Sequence, residues 1–391
     1  MSSTLQRWMK EVTRLTRSGR LADATRAIQD ALGRKPTMGS FNAPPAEVNS
    51  QTAAAASAAR LIPEPVPVET SKAIDDGTIR TGEYSEAGLT RSYLLYLPPT
   101  ASAEHSGTPM PLVVMLHGCT QDPTDFAAGT GMNSLAREQG FAVLYPAQAQ
   151  SANPSRCWNW FKHNHQRRGS GEAAVIAGMT RSVVAEHHLD PCRVYVAGLS
   201  AGGAMAAILG RAYPDLYAAV GIHSGLASGA ANDLISALSA MKHGPASPTS
   251  PPPVTQSGEP AARDDGFSAS IGPVPTIVFL GDGDAVVHPG NGTQAIAVAI
   301  GQTGTGAPSA ASPVVEVGES TKGRRYTRTT HPGPAGAPAQ AEHWLVHGGG
   351  HAWSGGREQG SYTDPSGPDA TREMWRFFRT HSQPEAQRHE G

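Results

Sequence analysis

A serine sits between two glycines in Gly198-Leu199-Ser200-Ala201-Gly202, directly after the apolar run Arg193-Val194-Tyr195-Val196-Ala197. A strand that breaks sharply into a helix at such a point lifts the serine hydroxyl clear of the turn. The positions two before and two after must be small, because strand and helix pass close together there. Ala204, Met205, Ala207 and Ile208 continue as the helix. The stretch reads as a nucleophile elbow, and its chemistry is attack of an alcohol on a carbonyl.

An alcohol is a weak nucleophile at neutral pH, so Ser200 needs a base and a third group that fixes the tautomer of that base. On a strand–turn–helix frame the partners follow in the order serine, acid, histidine. Downstream, the strand-like Thr276 to Leu280 runs into Gly281-Asp282-Gly283-Asp284. Asp284 is the expected acid. Asp282 is the alternative, in a glycine-flanked turn where a local hydrogen bond to backbone is the ordinary task of aspartate. The last strand ends in Val346-His347-Gly348-Gly349-Gly350-His351-Ala352-Trp353. His351 is the expected base, and His347, closer to the strand, is the alternative. The remaining histidines, including His163, His165, His187 and His188, form no metal-ligand pattern and are expected at the surface, so neither a metal nor a cofactor is called for.

A tetrahedral intermediate also needs two aimed N–H donors. The backbone of Ala201 is one, and that of Cys119 in His117-Gly118-Cys119-Thr120-Gln121 is the other. The Cys119 side chain itself reads as a small buried filler, and Cys119→Ser should be tolerated if the thiol has no role. With Cys157 and Cys192 it makes three cysteines, too few for a disulfide framework and too scattered for zinc. A Cys119–Cys157 bridge would belong to an oxidising compartment and free thiols to the cytoplasm; both stay open.

The elements that must hold these groups alternate. Ser92 to Leu97, Leu112 to Leu116, Phe141 to Tyr145, Arg193 to Ala197, Ala218 to His223, Thr276 to Leu280 and His343 to Val346 read as strands. Met132 to Glu138, Glu172 to His187, Ala201 to Tyr213, Thr293 to Gly301 and Asp369 to Thr380 read as helices. This predicts an α/β fold with a mostly parallel central sheet, helices on both faces and functional groups beyond the carboxyl ends of the strands. The 391 residues divide into a basic helical hairpin (1–35), a Pro/Ala/Ser/Thr-rich disordered linker (36–72), a catalytic domain (73–381) with a disordered insertion (245–272), and a disordered tail (382–391).

A net charge of −2 with scattered basic residues leaves no electrostatic footprint for nucleic acid. The apolar runs are strand-sized, far short of a membrane span. The N-terminus lacks a secretory apolar block, which points to the cytoplasm, with export by an unorthodox route left open. The hairpin, with Arg7, Lys10, Arg14, Arg17, Arg20, Arg26, Arg34 and Lys35, would dock on its own domain, dimerise, or grip an apolar particle or anionic lipid.

With these residues assembled, the chain from Tyr93 to Phe378 resembles the polyhydroxybutyrate (PHB) depolymerase family of esterases, in the carbohydrate-esterase-like branch of the α/β-hydrolases. The stretches that carry the resemblance are Leu116 to Gln121 with Phe126 to Thr130, Cys157-Trp158-Asn159-Trp160-Phe161, Gly198 to Gly203, His223-Ser224-Gly225, and Gly350 to Gly356. The resemblance implies hydrolysis of 3-hydroxyalkanoate esters through an acyl-enzyme, with Ser200 as nucleophile, Asp284 as acid, His351 as base, and Cys119 and Ala201 as oxyanion donors. It implies a shallow apolar crevice, for which Trp158, Trp160 and Trp353 are substrate-binding candidates. Lacking the leader and binding module of many secreted members, the chain looks like one acting on granules or oligomers inside the cell, with the N-terminal helices as a granule contact. The alternatives are an acetylxylan or feruloyl esterase, a general short-chain carboxylesterase, and a non-catalytic surface-binding protein on the same scaffold.

Overall fold

The computed structural model describes residues 77–99, 109–245, 272–301, 312–334 and 337–384. The expected hairpin (1–35) and linker (36–72), nearly all of the 245–272 insertion and most of the 382–391 tail lie outside the described residues.

Among the described residues one ten-stranded sheet runs in the order β1-β2-β4-β3-β5-β6-β7-β10-β9-β8. Its middle is parallel: β4 (Ala142–Pro146), β3 (Leu112–Leu116), β5 (Val194–Leu199), β6 (Ala219–His223), β7 (Thr276–Gly281) and β10 (Ala341–Val346). Antiparallel pairs flank it, with β1 (Thr78–Glu86) and β2 (Leu89–Leu97) on one side and β9 (Arg325–His331) and β8 (Val314–Glu319) on the other.

Every residue of β3, β4, β5, β6 and β7 is buried, which is why these strands appear in the sequence as unbroken apolar runs. Alternation along each strand divides the core in two. Leu112, Val114, Leu116, Val194 and Val196 pack with α3 (Gly171–Glu186), α4 (Ala201–Ala212) and α6 (Gly290–Ala299). Val113, Met115, Tyr195 and Ala197 turn the other way, onto α1 (Pro123–Thr130), α2 (Met132–Gln139) and α7 (Ala370–Phe378). Helices therefore cover both faces, as expected, and α5 (Leu234–His243) follows β6. All the parallel strands end at one side, so β5, β7, β10 and β3 deliver Ser200, Asp284, His351 and Cys119 to the segments beyond that edge, where His223 ends β6.

Candidate active site

Ser200 caps the break between β5 and α4 with φ 57° and ψ −117°. For a residue with a side chain this is a strained backbone, and a hydrogen bond from its N–H to the carbonyl of His223 at 2.8 Å helps hold it. The flanking glycines are required by contact: a Cβ on Gly202 would stand 2.0 Å from the Leu116 carbonyl oxygen, and one on Gly198 would stand 2.4 Å from the Gly202 carbonyl carbon. Thus β3, β5 and the start of α4 press together where the sequence places its smallest residues.

Asp284 lies in the loop after β7, and its Oδ2 accepts a hydrogen bond from His351 Nδ1 at 2.8 Å. Its Oδ1 accepts from the N–H groups of Val286 (2.8 Å) and Val287 (2.9 Å). Burial alone would raise the pKa of Asp284. The bond to His351, the charge of that ring and the two backbone donors outweigh it and hold the carboxyl below its usual value. The alternative residues form a pair of their own: His347 Nδ1 meets Asp282 Oδ2 at 2.8 Å, the other Asp282 oxygen accepts from Gly348 N–H, and His347 Nε2 reaches Thr327 Oγ1 at 2.9 Å.

The turn after β3 carries Cys119, joined by a disulfide to Cys157 with the Cα atoms 4.2 Å apart. This corrects the expectation of a passive filler at Cys119. The bridge ties the turn to the loop that holds Trp158, whose Nε1–H donates to the His117 carbonyl at 3.1 Å. Ala201, the other expected donor, is the first residue of α4, where a helix leaves its backbone N–H groups without partners inside the helix.

The three tryptophans do not line an open crevice. Trp158, Trp160 and Trp353 are 0, 5 and 1% exposed. Trp353 donates to Thr371 Oγ1 at 3.0 Å and stands edge-on to Phe126, and Trp160 stands edge-on to Phe161. Packing won over display, as it does for most large aromatic rings in a core. His165 is likewise buried rather than at the surface, with Nδ1 3.5 Å from Glu172 Oε2.

His223 is the neighbour that sequence reasoning missed. It ends β6, stacks between Trp353 and Phe279 with centroids 5.0 and 5.7 Å away, and accepts the N–H of Ser354 on Nε2 at 2.9 Å. Burial, with the nearby His351 adding to it, lowers its pKa to about 3, so the ring is neutral. One residue thus braces the Ser200 turn through its carbonyl and the segment after His351 through its ring. Its sequence signal was a histidine at a strand end before Ser224-Gly225.

Several known proteins resemble the chain. The family model described as esterase PHB depolymerase matches residues 91–315. Poly(3-hydroxyalkanoate) depolymerase C of Paucimonas lemoignei is 37% identical over 198 residues, 49% of this chain and 45% of that protein. Feruloyl esterase B of Thermothelomyces thermophilus is 30% identical over 150 residues, 38% of this chain and 49% of that one. These matches span about half the length of the curated relatives or less. The solved acetyl xylan esterase from Aspergillus awamori shares the fold, with a TM-score of 0.57 at 17% identity, covering 78% of this chain and all of that one. With more than half of its residues matched by the family model, the chain belongs to the PHB depolymerase family of esterases.

Proposed function

We propose that the chain is a serine esterase that hydrolyses the ester bonds of poly(3-hydroxybutyrate), or of related short-chain polyhydroxyalkanoates and their oligomers, through an acyl-enzyme. The observation that carries the reading is the hydrogen bond between His351 and the buried carboxylate of Asp284, at the sheet edge where β5 presents a strained Ser200. Asp284 keeps the His351 proton on Nδ1, so Nε2 is the basic atom. His351 takes the Ser200 proton as Oγ attacks the ester carbonyl, and the backbone N–H groups of Cys119 and Ala201 receive the negative oxygen. The imidazolium returns its proton to the departing alcohol, and water, deprotonated by the same ring, releases the 3-hydroxyacyl acid and restores Ser200. No step of this cycle calls on a metal or cofactor.

Family membership and the depolymerase relatives support a polyester substrate. The feruloyl and acetylxylan esterase relatives support a second reading, in which the same residues cleave sugar or aromatic esters. Liquid chromatography of the acids released from amorphous PHB, acetylated xylan and a feruloyl sugar separates the two.

Action at the surface of a polymer granule, with residues 1–35 as the contact, is part of the same proposal. So is a cytoplasmic location, against which the Cys119–Cys157 bridge weighs, since such bridges persist in oxidising compartments. No helix among the described residues is long and apolar enough to cross a membrane.

A further inference from the structure

The segment expected to receive the oxyanion is held from behind by buried polar groups that the mechanism above does not use. Glu172, on the first turn of α3, is wholly buried. Its carboxylate accepts hydrogen bonds from Arg91 (3.0 Å), Asn159 N–H (2.7 Å), Asn159 Nδ2 (2.8 Å) and Gln148 Nε2 (2.6 Å). The Gln148 amide also donates to the Cys157 carbonyl at 2.9 Å, and its oxygen accepts from Ala149 N–H. Gln148 is therefore fixed in place, and with it the backbone N–H that it directs at His117 Nε2, 3.1 Å away.

That contact decides where the imidazole proton sits. A backbone amide only donates, so Nε2 is a bare acceptor. The other ring nitrogen lies 2.8 Å from the Gly118 carbonyl, which only accepts, so Nδ1 carries the hydrogen. Burial lowers the pKa of His117, in keeping with a neutral ring. The Gly118 carbonyl belongs to the same peptide unit as the N–H of Cys119. In a trans peptide the two point in opposite directions, and no cis bond occurs among the described residues. Pinning the carbonyl on His117 therefore turns the Cys119 N–H away from the ring. Gln121 Oε1 holds the Gly118 N–H at 2.9 Å, so the residue is gripped on both sides. No hydrogen-bond acceptor among the described residues meets the Cys119 N–H, which leaves it for a ligand.

We propose that Glu172 and Gln148 are positioning residues for catalysis: by fixing His117 as its Nδ1–H tautomer they aim the Cys119 N–H at the oxygen that becomes negative in the transition state. The inference rests on the esterase reading and on Cys119 as an oxyanion donor. A donor aimed in advance acts mainly on the transition state, so its misalignment lowers kcat and leaves KM nearly unchanged.

Removing Glu172 would leave Arg91 uncompensated in the core, so the test is made at Gln148 and His117. The full chain and its Gln148→Met, His117→Leu and His117→Asn variants are assayed on a soluble butyrate ester and titrated with an alkyl boronic acid, which forms a tetrahedral anionic adduct on the serine. Asparagine places an amide N–H near the position of Nδ1 and serves as the rescue. Thermal melts select variants that remain folded. The expected result is a kcat lowered about 100-fold in His117→Leu and about 10-fold in Gln148→Met, with KM little changed, boronate affinity falling in parallel, and His117→Asn recovering most of the loss. Folded His117→Leu and Gln148→Met proteins with wild-type kcat and boronate affinity would overturn the positioning role while Ser200→Ala stayed inactive. Activity surviving in Ser200→Ala would overturn the esterase reading itself, and this inference with it.

Discussion

The carboxylate of Asp284 is wholly withdrawn from solvent and accepts the Nδ1–H of His351 at 2.8 Å. Two residues earlier, Asp282 meets His347 at the same distance in a pair left more than a third exposed. Equal in length, the two contacts differ in environment. The first has its carboxylate shielded from water and leaves Nε2 of its histidine for the proposed role of base, while Nε2 of His347 is engaged by Thr327.

Asp284→Asn should therefore lower kcat by about four orders of magnitude, because the amide favours the wrong imidazole tautomer. Asp282→Asn removes a solvent-screened contact and should cost less than about tenfold. Steady-state kinetics on a butyrate ester checks the ranking, and the reverse order would transfer the acid role to Asp282.

The parallel strands and the placing of Ser200, Asp284 and His351 beyond strand ends were legible because the central strands are buried and each of these residues follows an apolar run. β1, β8 and β9 were not, since flanking strands such as Thr78–Glu86 mix charged and apolar residues and keep little of their length buried. The support of the site was equally hidden. Arg91 and Glu172 meet across 81 positions and His223 and Ser354 across 131, distances over which side-chain pairing leaves no local pattern. The tryptophans misled for a related reason: their chemistry suits a polyester crevice, but only the packing shows that they are buried.

Three groups make acid destabilising. Burial holds His223 to about 3 and His343 to about 4, against 6.5 for a free ring, so below pH 6.5 the unfolded chain takes up protons that the folded chain refuses. Glu172 adds a lower step. Burial alone would raise its pKa, but hydrogen bonds from His165, Gln148 and Asn159 bring it from 4.5 to about 2, so its stabilising charge is lost as pH falls through that window. The Glu172 step is on the order of 3 kcal/mol. Urea unfolding should give a stability that declines from pH 6.5 downward and declines further below 4.5; constant stability from pH 7 to 3 would contradict it.

The Cys119–Cys157 bridge closes a loop with a sequence separation of 38, and loops of that length typically contribute roughly 4 kcal/mol. Cys157→Ser should lower the melting temperature and, because the loosened turn carries the proposed Cys119 donor, kcat as well. Wild-type protein under reductant should follow it. An unchanged melt and rate, with mass spectrometry showing two free thiols, would remove the bridge from both roles.

Gly202 has no room for a side chain: the added Cβ would meet the Leu116 and His117 carbonyl oxygens at 2.0 and 2.7 Å. Gly202→Ala should destabilise by several kcal/mol or prevent folding, because the obstacle is backbone. Gly350 faces open space, and Gly350→Ala should melt within a few degrees of wild type. Comparable melts for the two variants would mean that the elbow is looser than its contacts indicate.

The most direct test of the central claim is release of 3-hydroxybutyrate from amorphous PHB, followed by chromatography, with the Ser200→Ala protein as the blank. Steady release by the wild type and none by the variant is the predicted result. Release by both proteins would remove Ser200 as the nucleophile. No release by a wild type that still cleaves a butyrate ester would contradict the polyester substrate.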